Sequence, residues 1–237
     1  THPPNGFEYG LGCVMCADKN IEEKNLIMQI KAQVEQVEII KVKYSDRSTK
    51  GIFYSISTQH HTKEYQNCIT SSDGKKTVKI TSSKLSSGSY SVHYLCDPYE
   101  TTKLLKDYSV HLHHSYHSQP FLIIDFQQYR VKPSHYLMAR SRSHLTYFKY
   151  WRLAASHDGK RDNWITLREH KNDSTLAQMN SHLYTFQIDP NTCQEFYRYF
   201  CIIETTAKPI GLSLASIEFF GQYYKENKLN NNKFYFW

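Results

Sequence analysis

The stretch WRLAASHDGKRDNWITL (residues 151–167) reads as two apolar β-strands joined by a polar turn. Apolar and polar residues alternate from Trp151 onwards, as expected for a strand with one buried face, and a second apolar run begins at Trp164. The SHDG segment between them (156–159) supplies a glycine that tolerates positive φ. Either this turn presents its histidine and aspartate as an active-site loop, or it is a hairpin turn in a β-sandwich whose tryptophans lie in the core.

Alternating patterns of the same kind recur along the chain from about residue 51. They predict strands at 52–57, 77–82, 91–96, 108–114, 121–126, 134–140, 147–155, 163–168, 182–188, 196–204 and 213–220. Gly, Pro, Asn or Asp separates most of these runs, and no long helical pattern lies among them. Many short strands at this spacing indicate an antiparallel β-sandwich or barrel.

The first 50 residues have a different pattern. Apolar residues from Ile27 to Val37 recur at intervals of three and four, and Asn20 can cap the segment, so the sequence predicts a helix over 20–37. The apolar stripe of this helix needs a surface to cover it, on this chain or on a partner. The following EIIKVKY (38–44) fits either the end of the helix or a strand.

The composition is that of a folded, basic domain. The chain has 237 residues, 40% of them hydrophobic, and a net charge of +7, so global disorder is excluded. Residues 1–50 contain seven basic and seven acidic side chains, so the whole excess lies in 51–237. A basic domain predicts an acidic partner. No run of four basic residues occurs, which argues against specific nucleic-acid binding, and no apolar run of 18 residues predicts a membrane span.

Cysteine usage indicates a reducing compartment. The six cysteines are Cys13, Cys16, Cys68, Cys96, Cys193 and Cys201. No export signal precedes them, so we expect free thiols and a cytoplasmic location. The alternative is that a leader has been removed before Thr1.

Four successive stretches resemble one known family. They are VKITSSKLSSGSY (78–90), FLIIDFQQYRVKPSHYLMARS (121–141), YFKYWRLAASHDGKRDNWITLREHKND (147–173) and FYRYFCIIETTAKPIGLSLASIEFFGQ (196–222). In this order and spacing they resemble a discoidin domain, the coagulation factor 5/8 type C module of the galactose-binding-like class. The resemblance implies an all-β fold, an antiparallel β-sandwich (jelly roll) over 51–224, with Trp164 in its core. Residues 1–50 would then be an N-terminal arm with a short helix, and 225–237 a C-terminal tail.

The chain departs from the secreted members of this family at the disulfide. In those members a disulfide ties the two ends of the domain, and its second cysteine follows an FFG-like strand. Here Gln222 follows Gly221, and no cysteine lies near the start of the domain before Cys68. The chain is therefore more similar to intracellular relatives, which are interaction modules of ubiquitin-ligase subunits, ciliary complexes or protozoan BTB-type adaptor proteins.

Members that bind sugars or lipids use loops at one end of the sandwich. The resemblance places candidate ligand- or partner-binding residues at Leu85, Tyr90, Arg142, His144, Leu145, Tyr147, Lys208 and Ile210. Ordinary solvated loops are the alternative. The aromatic end of the tail is expected to anchor on another surface, since exposed aromatic clusters mark contacts. Its residues are Phe234, Tyr235, Phe236 and Trp237.

The sequence carries no catalytic motif. G-x-S-x-G, phosphate-loop and H-E-x-x-H patterns are absent, and the adjacent His157 and Asp158 are expected to point apart. The HLHHSYH segment (111–117) and the Cys13–Cys16 pair are the best metal candidates, but neither has a second set of ligands at a typical spacing. We therefore predict no enzyme activity, no bound metal and no cofactor.

These observations predict a non-catalytic interaction or structural module. It would act as an intracellular adaptor or a cytoskeleton-associated component, with its basic sandwich held against an acidic protein surface. Tubulin, in a microtubule or cilium, is one concrete partner. The alternative is a carbohydrate- or lipid-binding, lectin-like module of a secreted or surface protein.

Overall fold

The computed structural model describes residues 37–45, 48–69, 77–86, 89, 91–96, 110–112, 119–139, 149–177, 183–206 and 212–226. The elements below belong to the second of two units into which the chain divides, Ile39–Trp237.

The described residues form eleven strands and one short α-helix. The strands are β1 (Ile40–Val42), β2 (Lys79–Ser82), β3 (Val110–Leu112), β4 (Phe121–Asp125), β5 (Tyr129–Ala139), β6 (Trp151–Ser156), β7 (Ile165–His170), β8 (Leu183–Gln187), β9 (Tyr199–Glu204), β10 (Leu212–Leu214) and β11 (Ser216–Lys225). The helix is α1 (Ile52–Ser57), and two 3₁₀ turns span Val92–Cys96 and Thr175–Ala177. Within these residues no helix is both long and apolar enough to cross a bilayer.

Two antiparallel sheets enclose the core. One has the strand order β1-β11-β5-β8 and the other β2-β4-β9-β6-β7, while β10 pairs separately with β3. Aromatic side chains of the two sheets meet between them: the ring centroids of Tyr136 and Trp151 are 5.8 Å apart, and those of Phe200 and Phe219 are 5.0 Å apart. This arrangement confirms the predicted antiparallel β-sandwich.

The tryptophan at the centre of the core is Trp151 and not Trp164. Trp151 is only 1% exposed, because β6 has a hydrogen-bonded neighbour on each side, β9 and β7. Trp164 lies just before β7, the edge strand of the sheet, and is half-buried. The expectation that Trp164 lies in the core is therefore wrong, since an edge position leaves part of its ring in solvent.

The helix α1 occupies a segment where the alternation predicted a strand, 52–57, so that prediction is wrong. Its apolar residues Ile52, Phe53 and Ile56 are spaced for one face of a helix, and all three are buried. The carboxylate of Glu218 on β11 accepts the N–H of Phe53 at 2.9 Å. A tertiary contact thus caps a helix too short to be stable alone.

The structure also decides the secondary structure of two other segments, 91–96 and 38–44. The predicted strand at 91–96 is instead the 3₁₀ turn Val92–Cys96, so this prediction is also wrong. The ambiguous segment 38–44 contains β1, which pairs antiparallel with β11 from Ile40 opposite Tyr223 to Val42 opposite Gly221. The four-stranded sheet therefore starts before residue 51.

The four cysteines in the described part of the chain are buried: Cys68, Cys96, Cys193 and Cys201. Burial raises the pKa of the Cys193 thiol to about 11 and that of Cys201 to about 12. These two side chains consequently stay protonated at neutral pH and act as small apolar core groups. Cys13 and Cys16 lie outside the described residues.

Candidate ligand-binding site

Of the loop residues predicted to bind a ligand, only Leu85 falls in a described segment. It is half-buried, forms an isolated β-bridge with Leu112 and packs against the core. Its side chain therefore contributes to the sandwich itself. The remaining predicted residues lie outside the described residues: Tyr90, Arg142, His144, Leu145, Tyr147, Lys208, Ile210, Phe234, Tyr235, Phe236 and Trp237. The loop surface and the tail anchor stay predictions.

The SHDG turn is a turn and not an active-site loop. Nε2 of His157 lies 2.8 Å from Oε2 of Glu195, whereas the carboxylate of Asp158 accepts a hydrogen bond from the Asn163 amide at 3.0 Å. The two side chains do not converge on a common point. Gly159 has φ +70, which a glycine adopts without strain.

The histidine-rich segment shows no metal centre in the part of the chain that is described. His111 lies half-buried in β3, opposite Ser213 of β10. No three His, Cys, Asp or Glu side chains among the described residues are placed to share a metal ion. His113, His114 and His117 lie outside those residues.

Tyr136 and His170 form a hydrogen-bonded relay with Asp173, and both rings are buried in the core while the Asp173 side chain is 22% exposed. The Tyr136 hydroxyl donates to Nε2 of His170 at 2.7 Å, and the Nδ1–H of His170 donates to Asp173 at 2.5 Å. Burial lowers the pKa of His170, so the ring is neutral. The Trp151 ring stacks on it at 3.6 Å, and Tyr136 is 0% exposed. Because Tyr136 and His170 are both buried, the role of the relay is to satisfy polar groups at the core.

A pocket of about 560 Å³ opens beside the C-terminal end of α1, and we call it the Ser57 pocket. Its floor is formed by the buried side chains of Ile56, Cys68 and Tyr129. The segment that follows α1 and the end of β11 form the rim. A mostly apolar floor with a few convergent polar groups is the usual construction of a small-ligand site.

The wall of this pocket contains a buried hydroxyl without a partner. Ser57 is 6% exposed, and its Oγ has no hydrogen-bond partner among the described residues. An unsatisfied buried hydroxyl costs about 1–3 kcal/mol. Ser57 lines the pocket, but its Oγ lies beneath the pocket surface, so a ligand supplies the missing hydrogen bond only when the serine side chain rotates towards the pocket.

The backbone beside the pocket adopts an uncommon conformation. Gln59, His60 and His61 have φ of 47, 65 and 67, the left-handed region that non-glycine residues seldom occupy. The C-terminal cap of α1 starts this run, because the N–H of His60 donates to the Ser55 carbonyl at 2.8 Å. Nδ1 of His60 then lies 2.6 Å from the Tyr223 hydroxyl, which holds the rim in place. Strained backbone of this kind concentrates at functional sites.

The side-chain amides at the rim of the pocket differ in whether they are hydrogen-bonded within the protein. Asn67 is committed to the fold: its Oδ1 accepts the N–H of Ile69 at 2.9 Å, and its Nδ2 donates to the His93 carbonyl at 3.2 Å. Gln59 and Gln66 are exposed, and neither side-chain amide forms a hydrogen bond to another described residue. These two amides are available to a ligand.

No described residue activates the Ser57 hydroxyl as a nucleophile. A nucleophilic serine needs a general base hydrogen-bonded to its hydroxyl, and Oγ of Ser57 has no such contact. The lining side chains within the described segments include no Asp or Glu, so no carboxylate is available for acid–base chemistry there.

The Ser57 pocket was not predicted from the sequence. The polar run STQHHTKEYQN (57–67) contains nearly all of its rim, and it directly follows the apolar IFYSI. Helical spacing of Ile52, Phe53 and Ile56 was the available signal, because a helix end in this position places Ser57 against the sandwich. The left-handed residues after it have no sequence signature, since none of them is Gly, Asn or Asp.

This chain is similar to several solved structures of other proteins. No protein-family model and no curated protein matches it. Among solved structures, the family 32 CBM of NanJ from C. perfringens, in complex with galactose, is 13% identical with a TM-score of 0.40, over 62% of this chain and 92% of that chain.

Two further solved structures show likeness at the same level. Chitosan-binding module 1 from a chitosanase/glucanase of Paenibacillus sp. IK-5 is 12% identical, with a TM-score of 0.44 over 66% of this chain and all of that chain (100%). A SusE-like protein is 12% identical, with a TM-score of 0.49 over 61% of this chain and 97% of that chain. At these values the ligands of those proteins say nothing about the ligand of this chain.

Proposed function

We propose that this domain is a non-catalytic carbohydrate-binding module and that the Ser57 pocket takes a neutral sugar. The observation that carries the proposal is Ser57, which lines the pocket and whose buried hydroxyl has no hydrogen-bond partner among the described residues. A sugar hydroxyl is both a donor and an acceptor. It therefore satisfies the serine without bringing a charge into a partly buried site, where a charge is costly.

The rim favours the same class of ligand. A side-chain amide offers a donor and an acceptor next to each other, which matches two neighbouring hydroxyls on a sugar ring. Gln59 and Gln66 place two such amides at the mouth of the pocket. Lys225 is the one permanently charged side chain among the described lining residues, and it is exposed to solvent. A weakly charged site of this kind suits a neutral ligand better than an anion.

The size and floor of the pocket are consistent with this ligand. Its volume of about 560 Å³ lies in the range of small-molecule sites, roughly 300–1,000 Å³. The apolar surfaces of Ile56 and Tyr129 on the floor suit the C–H face of a sugar ring. This proposal takes up the lectin-like alternative that the sequence left open. An intracellular adaptor bound to tubulin stays a prediction.

The test is calorimetric titration of the purified chain with a panel of neutral mono- and oligosaccharides, comparing wild type with Ser57→Ala. Removing one hydroxyl that bonds the ligand costs about 0.5–1.5 kcal/mol, so we expect affinity for the best sugar to fall about twofold to tenfold. Gln66→Ala is expected to add a further loss of similar size.

Ser213 provides a matched control. Its Oγ is also buried without a hydrogen-bond partner, it has the same 6% exposure, and it lies in β10 outside the pocket lining. Ser213→Ala and Ser57→Ala should therefore change the unfolding free energy by similar amounts, while only Ser57→Ala weakens sugar binding. Equal affinity for all three proteins, or no binding to any sugar of the panel, would refute the proposal.

A further inference from the structure

A second concave surface lies on the outer face of the four-stranded sheet, and we call it the lysine groove. It has a volume of about 470 Å³ and shares no described lining residue with the Ser57 pocket. Lys41 of β1 lies opposite Gln222 of β11, which in turn lies opposite Lys132 of β5. The strand neighbours Val131 and Tyr223 belong to the core. Because side chains alternate along strands, the row Lys41–Gln222–Lys132 projects away from the core.

The positive charge of this groove is not compensated. Lys43 joins the row from the residue after β1, and no Asp or Glu is among the described lining residues. None of the three lysines forms an ion pair within the described segments. Nζ of Lys132 donates to the backbone carbonyl of Gln194 at 2.5 Å, a contact that holds the ammonium in place without neutralising it.

An apolar wall borders the lysines. The Tyr44 ring stacks on His135 with their centroids 4.6 Å apart, and its edge meets Phe220 at 5.5 Å. Pro133 and Ile188 continue this wall on the side of β5 and β8. A ligand in the groove is therefore offered cations and apolar surface together.

We propose that the lysine groove binds a short acidic peptide segment of a partner protein in an extended conformation. Charge complementarity favours this occupant. Neighbouring strands are about 4.8 Å apart, so Lys41 and Lys132 are separated by about 10 Å at the backbone. Carboxylates two residues apart in an extended peptide are about 7 Å apart, within reach of two flexible lysine side chains.

The residues that line the groove favour an acidic peptide over nucleic acid, phosphate groups or a lipid surface. Nucleic acid and phosphate groups are typically held by arginine, whose planar fork binds two oxygens at once, and no arginine is among the described lining residues. A lipid surface requires protruding basic and apolar side chains, whereas Lys132 and the apolar wall lie within a concavity. Gln222, between the two lysines, can bond the peptide backbone.

The experiment is a fluorescence-anisotropy titration of the full chain with labelled hexaglutamate at low ionic strength. We compare wild type with the triple variant Lys41→Gln/Lys43→Gln/Lys132→Gln. We expect hexaglutamate affinity to fall at least about tenfold in the triple variant, and wild-type affinity to fall as salt is added because exposed charges are screened. Gln222→Glu, which places a carboxylate between the lysines, should also abolish binding while leaving the lysines intact.

The matched control is Lys63→Gln/Lys79→Gln/Lys160→Gln, which removes the same charge from exposed lysines outside the groove. It should change hexaglutamate affinity by less than about twofold, in the range of surface charge effects. Equal losses in the two triple variants would overturn the proposal. So would binding of oligothymidine or phosphatidylserine vesicles, but not hexaglutamate, through the groove lysines. Sugar binding at the Ser57 pocket is measured in a separate titration, and its outcome does not depend on whether hexaglutamate binds the lysine groove.

Discussion

The carboxyl group of Glu218 is buried at the start of α1 and receives several backbone hydrogen bonds. Oε1 accepts the N–H of Phe53 at 2.9 Å and that of Phe219 at 2.8 Å, and Oε2 accepts the N–H of Tyr54 at 3.3 Å. Burial raises the pKa of Glu218 to about 8, although these donors act in the opposite direction. Gly51 leaves room for this side chain, since a Cβ there would lie 2.3 Å from Cγ of Glu218.

The raised pKa of Glu218 predicts a specific pH dependence of stability. The folded-state pKa of about 8 lies above the ordinary value of 4.5, so folding favours the protonated form. The contribution of this group is fully present below about pH 4.5 and is lost as pH rises towards 8. Urea denaturation of wild type and Glu218→Gln across this range should show a fall in unfolding free energy of several kcal/mol in wild type that is absent from the variant.

The two proteins are compared by the slope of the unfolding free energy against pH, because Glu218→Gln also alters the cap of α1 and lowers stability at every pH. Other titrating groups are the same in both proteins and cancel. Parallel pH profiles for the two proteins would show that Glu218 keeps an ordinary pKa in the fold.

The segment after α1 combines a regular helix end with an irregular continuation. Gln59 occupies the position where helices commonly carry a left-handed glycine, and its φ is 47. His60 and His61 remain left-handed and bring the polar rim over the Ser57 pocket. The conformation costs about 1–2 kcal/mol for each non-glycine residue, which the contacts of His60 and Tyr223 help to offset.

Relief of this strain is measurable by substitution. We expect Gln59→Gly to raise the unfolding free energy by about 1 kcal/mol, because glycine adopts the left-handed region without a steric cost. Gln66→Gly serves as the control: Gln66 is not among the positive-φ residues, so glycine there only adds freedom to the unfolded chain and should lower stability by about 0.5–1 kcal/mol. Thermal unfolding by circular dichroism distinguishes the two signs.

The strands were largely predictable from the sequence, and the short helices were not. In β4 half-buried and buried residues alternate, and β6 and β9 are short apolar runs next to polar residues, as expected for strands with a face against the core. In α1 and at Val92–Cys96 only six or fewer residues are helical, too few to separate a period of 2 from one of 3.6. The orphan hydroxyl of Ser57 depends on contacts between distant segments, so no local pattern reveals it.

Across the whole sandwich, the two sheets share one core that Trp151 fills from the centre. Its ring stacks on His170 at 3.6 Å and meets the Phe186 ring at 5.3 Å. The alternation in WRLAAS correctly indicated a buried face for this strand. The sequence could not tell which of the two tryptophans flanking the turn is central, because that depends on which strand lies at the sheet edge.

Substitution of the two tryptophans tests this assignment. Trp151→Phe removes ring volume from a close-packed site and is expected to cost about 2 kcal/mol or more, whereas Trp164→Phe at its half-buried position should cost less than about 1 kcal/mol. Urea denaturation of both variants measures the two values. A larger loss for Trp164→Phe would place the centre of the core at the second tryptophan.

The pairing of β1 with β11 determines how the sandwich responds to a pulling force. Ile40 at the start of β1 lies opposite Tyr223 near the end of β11, and only three residue pairs join the strands. Tension applied through the chain before Ile40 and after Lys225 would load these hydrogen bonds one after another, in an unzipping geometry. The domain would therefore yield at low force by peeling off β1, while the ten-residue contact of β11 with β5 keeps the rest of the sheet together.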